Sequence, residues 1–230
     1  MRRNKVLADG WGTDKPPMTR SGLLLIGGEG PNLDQLACFL PSVNFIIAAD
    51  SGLDLADKLG LKPDLVVGDM DSIVNRDLLD AQPREHTHIY PENKDETDTE
   101  IGLRFFHKRS YKHVILAGGG EGRLDHLLGI LQLFERSYHP QIWLTAREHS
   151  EIIEESAVFD AYPGQIYSFF PMGGQASGLS STGLKWGLDG LEWKRGQASI
   201  SNVAVSSSVS VSVKRGKLLM CREYPEKPGE

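Results

Sequence analysis

"VVGDMDSI", residues 66–73, places two carboxylates, Asp69 and Asp71, at the end of an apolar run, with a glycine and a serine beside them. Short apolar runs of this kind belong to buried strands, where an unpaired carboxylate is costly. Side chains alternate along an extended segment, so Asp69 and Asp71 are expected to point the same way. Two ionised groups so placed repel each other. A hard divalent cation relieves that repulsion, and carboxylate oxygens suit magnesium.

The texture around this stretch repeats. The runs "LLLIGG" (23–28), "NFIIAAD" (44–50), "DLVVGDMD" (64–71), "HTHIY" (86–90), "HVILAGGG" (113–120) and "QIWLTA" (141–146) alternate with helical stretches such as "NLDQLACFL", "SGLDLADKLG", "TDTEIGLRFFHKR" and "RLDHLLGILQLFER". In the last of these, Leu124, Leu127, Leu128, Leu131 and Phe134 form one apolar helix face. Ser51 and Ser72 suit helix N-caps. Strands alternating with helices predict a mostly parallel sheet covered on both faces.

Near residue 150 the helical periodicity ends. Short alternating segments separated by Gly, Pro and Ser follow, and in "VAVSSSVSVSV" residues Val203, Val205, Val209, Val211 and Val213 share one parity. That pattern predicts a half-buried antiparallel strand or hairpin arm within a second, all-β unit.

Bulk properties exclude several classes. A chain of 230 residues with 40% hydrophobic content can bury a sizeable core. The formal net charge is −6 and the basic residues are dispersed, which argues against a nucleic-acid surface. No apolar run approaches the roughly 18 residues of a membrane span, so the reading is a cytoplasmic protein without a membrane partner. Residues 1–20 carry basic residues without an apolar signal core and read as a disordered leader. Cys38 and Cys221 lie in apolar sequence and are expected to be reduced core thiols.

In an open parallel sheet, ligands bind beyond the carboxyl ends of the strands. The second run ends in Asp50 and the third in Asp69 and Asp71. After the fourth comes "PENKDETDTE" with Lys94, Asp95 and Asp98, and after the fifth "AGGGEGRLDH" with Arg123, Asp125 and His126. Taken singly, these are ordinary turn acids and solvated cations. Together on one rim they are the parts of a metal-assisted phosphoryl-transfer site. Glycines at 118, 119, 120 and 122, between a strand and a helix, let backbone approach a phosphate closely. "IGGEGPN" (26–32) is a second, weaker turn of that type. There is no GK[ST] and no GxGxxG with a downstream ribose acid, which argues against a P-loop or a nicotinamide site.

"AADSG", "PDLVVGDMDS", "KDETDTE" and "GGGEGRLDH", in that order, followed by "STGLKWGLDG" and "SISN", resemble the thiamine pyrophosphokinase family over residues 23 to 220. The resemblance implies ATP-dependent transfer of a pyrophosphoryl group to the hydroxyethyl oxygen of thiamine, with AMP as the other product. It implies an α/β fold, a mostly parallel sheet flanked by helices (21–147) joined to a C-terminal β-sandwich (150–225), and a homodimer whose substrate sites span both subunits. Carried over by residue, Asp69, Asp71 and Asp98 would hold magnesium and the ATP phosphates. Asp50, Lys94, Asp95, Gly119, Gly120, Arg123, Asp125 and His126 would line the ATP cleft, with Arg123 and Asp125 also in the catalytic set. Asp71 or Asp98 would receive the hydroxyl proton. Trp186, Ser199, Ser201 and Asn202, with Asp71 and Asp98, would meet thiamine, whose thiazolium cation suits an acidic cleft and an aromatic face. By pattern alone Trp186 reads equally as a core tryptophan. Glu121 departs from what a phosphate loop favours, because its carboxylate would lie near the phosphates unless it points away. Two other readings share the acidic rim: a metal-dependent nucleotide phosphohydrolase, and a catalytically silent thiamine- or nucleotide-binding protein.

Overall fold

Runs made almost wholly of Leu, Ile, Val and Ala have no polar face to turn toward water, so they are stable only in the middle of a covered sheet. In the computed structural model, which describes residues 20–224, β1 (Ser21–Leu25) is buried at every position. The expected leader, up to residue 19, and the end of the second unit, after residue 224, lie outside the described residues.

The α/β part continues with α1 (Leu33–Ala37), β2 (Val43–Ala49), α2 (Gly52–Lys58), β3 (Leu65–Gly68), α3 (Arg76–Asp80), β4 (Thr87–Ile89), α4 (Asp98–Lys108), β5 (His113–Ala117), α5 (Leu124–Leu133) and β6 (Ile142–Leu144). These six strands lie in the order β6-β5-β1-β2-β3-β4, all parallel. The chain therefore reverses direction of travel across the sheet on either side of β1. Alternate residues of β1 feed opposite cores. Leu24 packs with Phe106 of α4 and with Leu133 of α5, whereas Leu23 and Leu25 pack with Leu36 of α1 and Leu55 of α2. Burying each such side chain contributes about 1.5–3 kcal/mol.

The second part comprises β7 (Glu148–Ile153), β8 (Ser156–Asp160), β9 (Ile166–Ser177), β10 (Ser180–Thr182), β11 (Glu192–Trp193), β12 (Ser199–Val203), β13 (Ser208–Ser212) and β14 (Arg215–Glu223). The antiparallel pairing of β7 with β6 carries the large sheet across the change of composition, through β14 and β9, with β11 and β12 both pairing with β9. A separate three-stranded sheet, β10-β13-β8, covers this region. Tyr167, Phe169, Leu218 and Met220 of the large sheet share a core with Phe159, Val209 and Val211 of the small one.

Three sequence expectations change. Leu124 and Leu128 of α5 are 68% and 52% exposed, and the helix buries Ile130 and Leu133 instead. The row is divided: Leu124 and Leu128 face outward, whereas Leu131 packs against the core and Phe134, just past the helix, is fully buried. The alternation from Val203 to Val213 is split between β12 and β13, so Val209, Val211 and Val213 are buried while Val205 is 56% exposed. Cys38 is exposed rather than in a core, and Cys221, whose Sγ accepts from Ser150 Oγ at 3.1 Å, is partly buried.

α2 approaches β1 so closely that a β-carbon at Gly52 would lie 2.1 Å from the Leu25 carbonyl oxygen. That oxygen belongs to a central strand and cannot swing aside. Gly52→Ala is expected to lower the unfolding free energy by about 2–3 kcal/mol in urea titrations. An unchanged midpoint would contradict this packing.

Candidate active site

The end of β3 is shaped by backbone turns. Gly68 adopts φ +142° and Met70 φ +67°, so the chain leaves the extended conformation before Asp71 is reached. The Asp71 amide donates to Asp69 Oδ1 at 3.3 Å. The two carboxylates thus share a side because of a side-chain-stabilised turn, not because of the strand alternation expected from sequence. Met70 pins that turn into a small core with Leu53, Val66 and Ile73. The Arg76 guanidinium donates to the Met70 carbonyl at 2.5 Å and the Asp71 carbonyl at 3.3 Å. The Asp54 carboxylate accepts from the amides of Val74 and Asn75, each at 3.0 Å.

At the neighbouring strand end, Asp50 adopts φ +50° and its amide donates to the Val67 carbonyl at 2.8 Å. Ser72 donates its hydroxyl to Asp50 instead of capping a helix, and Ser51, at the N-cap of α2, makes no side-chain capping bond. Asp50, Asp69 and Asp71 each offer an oxygen within 4.8 Å of the others. Asp98 approaches from the first position of α4, where Thr97 and Glu100 form a reciprocal capping box. A β-carbon at Gly68 would sit 3.2 Å from both Asp50 Cβ and Asp98 Cγ, so only glycine lets both acids close on the strand end.

One ammonium sits among these acids. Lys94 Nζ lies 2.9 Å from Asp69 Oδ2 and 3.3 Å from Asp98 Oδ1, and the lysine side chain is only 14% exposed. The hydrogen bond from Lys94 holds the Asp69 carboxyl below its ordinary range. The Asp69 charge pushes Asp71 up. Burial pushes Asp98 up against the pull of Lys94. Burial disfavours the Lys94 ammonium, yet its hydrogen bonds to Asp69 and Asp98 outweigh this and raise its pKa. Neighbouring acids driven in opposite directions mark a group with more negative charge than one lysine can balance. Asp50 Oδ1 is buried and accepts no hydrogen bond among the described residues. Three convergent carboxylates and an unsatisfied buried oxygen fit a hard cation such as magnesium. The convergent set is Asp50, Asp69 and Asp71; of the expected trio, Asp98 joins it through Lys94.

The two glycine turns meet at the switch between β1 and β5, but not as free phosphate cradles. The Gly119 amide donates to the Gly27 carbonyl at 2.7 Å, and Gly120 and Glu29 exchange backbone hydrogen bonds of 2.9 and 2.7 Å. A β-carbon at Gly120 would lie 2.6 Å from the Glu29 carbonyl oxygen. These glycines are explained by turn-on-turn contact, and their N–H groups are already engaged. Arg123 and Asp125 pair with each other at 3.1 and 2.5 Å on the surface, and Asp95 and His126 are exposed. Glu121, at φ +50°, pairs with Arg147 at 2.9 Å.

In the β-rich part, Trp186 is 54% exposed and Lys185 Nζ lies 4.7 Å from its ring centroid. Ser199 is half-buried and Ser201 exposed. Ser201 adopts φ +57° within a break of register between Ser199 and Asn202, and its amide donates to Ser168 Oγ at 3.1 Å. Asn202 is fully buried. Sequence reasoning missed Asp54 and Arg76, which hold the acidic turn, and gave Ser72 another role. The serine beside "DMD" was the only hint, because the partners lie on separate elements.

Comparison with known proteins agrees with this layout. The family model described as "Thiamin pyrophosphokinase, catalytic domain" matches residues 36–146, and "Thiamin pyrophosphokinase, vitamin B1 binding domain" matches residues 151–218. The chain belongs to the thiamin pyrophosphokinase family. It is similar to thiamine pyrophosphokinase of Bacillus subtilis (strain 168), with 25% identity covering 86% of this chain and 96% of the relative. It is also similar to thiamine pyrophosphokinase 1 of Arabidopsis thaliana, with 26% identity covering 80% and 71%. The crystal structure of the Bacillus subtilis protein superposes with a TM-score of 0.74 at 23% identity over 89% of this chain and 99% of that one. The solved structure of thiamin pyrophosphokinase from Candida albicans gives a TM-score of 0.64 at 15% identity over 93% of this chain and 95% of that one. At these identities the superpositions show the shared fold: a mostly parallel sheet with helices, then an antiparallel β-rich part.

The lysine among the acids has a measurable consequence. Asp69, with a depressed pKa, contributes stability that is complete above its unfolded value near about 3.9 and is lost as pH falls through the folded value. Lys94→Met removes that contribution and leaves Asp98 without its counter-charge. Its unfolding free energy at pH 7 is expected to drop by about 2 kcal/mol, less than for a fully buried pair because some exposure remains. The deficit should begin to shrink as pH falls below about 4 and approach zero only below the depressed folded pKa of Asp69. Urea titrations at pH 7 and below that pKa check this, and equal deficits would contradict it.

Proposed function

We propose that this chain catalyses pyrophosphoryl transfer from ATP to thiamine, giving thiamine diphosphate and AMP. The observation that carries the proposal is the convergence of Asp50, Asp69 and Asp71, with Lys94 and Asp98 behind them, at the carboxyl ends of adjacent parallel strands. Family membership supplies the substrates. In this reading the α/β part (21–147) takes the nucleotide and the β-rich part (150–225) takes thiamine. The reaction is placed in the cytoplasm.

Asp50, Asp69 and Asp71 would hold magnesium, with Asp98 beside them. The bound ion would neutralise charge on the triphosphate. The hydroxyethyl oxygen of thiamine forms a bond to the β-phosphorus, and the bond from that phosphorus to the oxygen bridging the α-phosphate breaks, its electron pair leaving with AMP. The hydroxyl proton passes to Asp71 or Asp98, the two carboxylates of this cleft read as meeting thiamine. Lys94 exchanges part of its hold on Asp69 for the phosphates, and Arg123 adds a second cation from the α5 turn. Gly119 and Gly120 admit the nucleotide by lacking side chains rather than by donating N–H groups. Trp186, Ser199 and Ser201 face thiamine, the tryptophan through its ring. The exposed leucines of α5 and the exposed Trp186 and Ile200 are apolar surface that a second copy of the chain would cover. This supports a homodimer in which the thiamine-facing residues of one subunit complete the acidic cleft of the other.

Incubation with ATP, Mg²⁺ and thiamine is expected to release AMP only when thiamine is present, and Asp71→Asn, folded by circular dichroism, to lose at least about two orders of magnitude in rate. AMP or phosphate release indifferent to thiamine would point instead to hydrolysis, and an undiminished Asp71→Asn would remove the assignment. Leu128→Glu on the exposed face of α5 is expected to shift sedimentation toward the monomer and to depress turnover in parallel. Unchanged sedimentation would count against that interface.

A further inference from the structure

We propose that Asn202 is a positioning residue, which does not touch thiamine but fixes Trp186, the ring that does. This rests on the reading of Trp186 as a thiamine contact. Asn202 has no exposed surface, so a ligand arriving from solvent cannot reach its amide. Three of the amide's four hydrogen-bonding positions are engaged. Oδ1 accepts from the Trp186 amide at 3.2 Å and from the Val203 amide at 2.9 Å, and Nδ2 donates to the Trp186 carbonyl at 2.7 Å. One side chain thus grips both backbone polar groups of a residue sixteen positions away.

The surrounding bonds show what the grip achieves. Residues 183–185 run beside 203–205, with the Lys185 amide donating to the Val203 carbonyl and the Val205 amide to the Gly183 carbonyl, both at 2.8 Å. Asn202 adds the last attachment to this ladder, at the residue before Gly187. The left-handed Ser201 and the break of register in β12 accompany the inward turn of the Asn202 side chain. Beyond the attachment Trp186 stands 54% exposed, with the Lys185 ammonium over its ring, 4.7 Å from the centroid. An exposed indole on an unanchored loop would have to be ordered at the moment of binding, which weakens the complex. Anchoring its backbone from a buried amide orders it beforehand while leaving the ring available to a cationic heterocycle.

The test is a double-mutant cycle on the full chain, reading KM for thiamine and for ATP, the midpoint of thermal unfolding, and thiamine quenching of tryptophan fluorescence without ATP. Asn202→Ala is expected to raise the thiamine KM and the quenching Kd about tenfold and to leave the ATP KM within about twofold. Trp186→Leu should raise the thiamine KM by at least as much. In the Trp186→Leu background, Asn202→Ala should add less than about twofold, because the ring it positions is gone. Should Asn202→Ala not fold, Asn202→Asp retains the acceptor and removes the donor to the Trp186 carbonyl, and the same cycle is run with it. A lowered unfolding midpoint with an unchanged thiamine KM, or fully additive effects in the double variant, would overturn the inference while Trp186 remains a contact. A Trp186→Leu protein with the parental thiamine KM would overturn both the inference and the reading it rests on.

Discussion

Like-charge crowding at the carboxyl end of β3 is the constraint around which the rest of this structure is arranged. Asp50, Asp69, Asp71 and Asp98 occupy one small region with the Lys94 ammonium among them. Beyond the pairing of Lys94 with Asp69 such an arrangement adds no stability, since carboxylates that cannot be balanced raise one another's pKa and weaken the fold. It persists because the backbone leaves no alternative. Asp50 and Met70 are held at positive φ, Met70 is buried, and Asp54 and Arg76 tie down the chain on either side of Asp71. Strain and repulsion kept in place by surrounding packing are a mark of a site shaped for a ligand rather than for stability.

The packing that enforces this is ordinary in kind and tight in degree. Central strands buried on both faces give a platform that does not yield, and glycines let neighbouring elements approach it within backbone contact. Gly52 brings α2 against β1, Gly68 lets Asp50 and Asp98 flank the strand end, and Gly120 lets the turn after β5 rest on the turn after β1. Loss of any of these close approaches would move a strand end by roughly the size of a methyl group. In phosphoryl transfer, where catalysis is positioning and charge neutralisation, such a displacement is a large error.

The strand-helix alternation was legible in sequence because parallel strands buried on both faces announce themselves as unbroken apolar runs, and the acids at their ends followed from the same reading. What local pattern does not carry was misread. The pairing of Asp69 with Asp71 depends on a left-handed Met70, a conformation that methionine does not advertise. The apolar row of α5 met the helical period perfectly well, yet Leu124 and Leu128 face outward while Leu131 and Phe134 meet the core, because periodicity finds an apolar face without saying what covers it. The glycines after β5 looked like a phosphate cradle, yet the amides of Gly119 and Gly120 are spent on Gly27 and Glu29, partners some ninety residues away that no spacing reveals, and that of Gly118 on Leu144. The burial of Asn202 could not be read from a serine-rich stretch.

The continuity of the large sheet has a mechanical consequence. β6 pairs with β5 on one side and with β7 on the other, so the glycine turn after β5 and the β-rich part are joined by a hydrogen-bonded path rather than by a flexible linker. The turn between β6 and β7 also carries Arg147, which draws the Glu121 carboxylate toward itself. Glu121 is the one acid in that loop whose charge would oppose a nucleotide, and it is held in a backbone conformation that only a short list of residues adopts readily. The same hairpin that transmits the sheet therefore also supplies the counter-charge of the one acid in that turn. Exposed ion pairs of this sort contribute little to stability, so the significance of the Glu121–Arg147 contact lies in where it sends a carboxylate and not in how firmly it binds the hairpin to the loop.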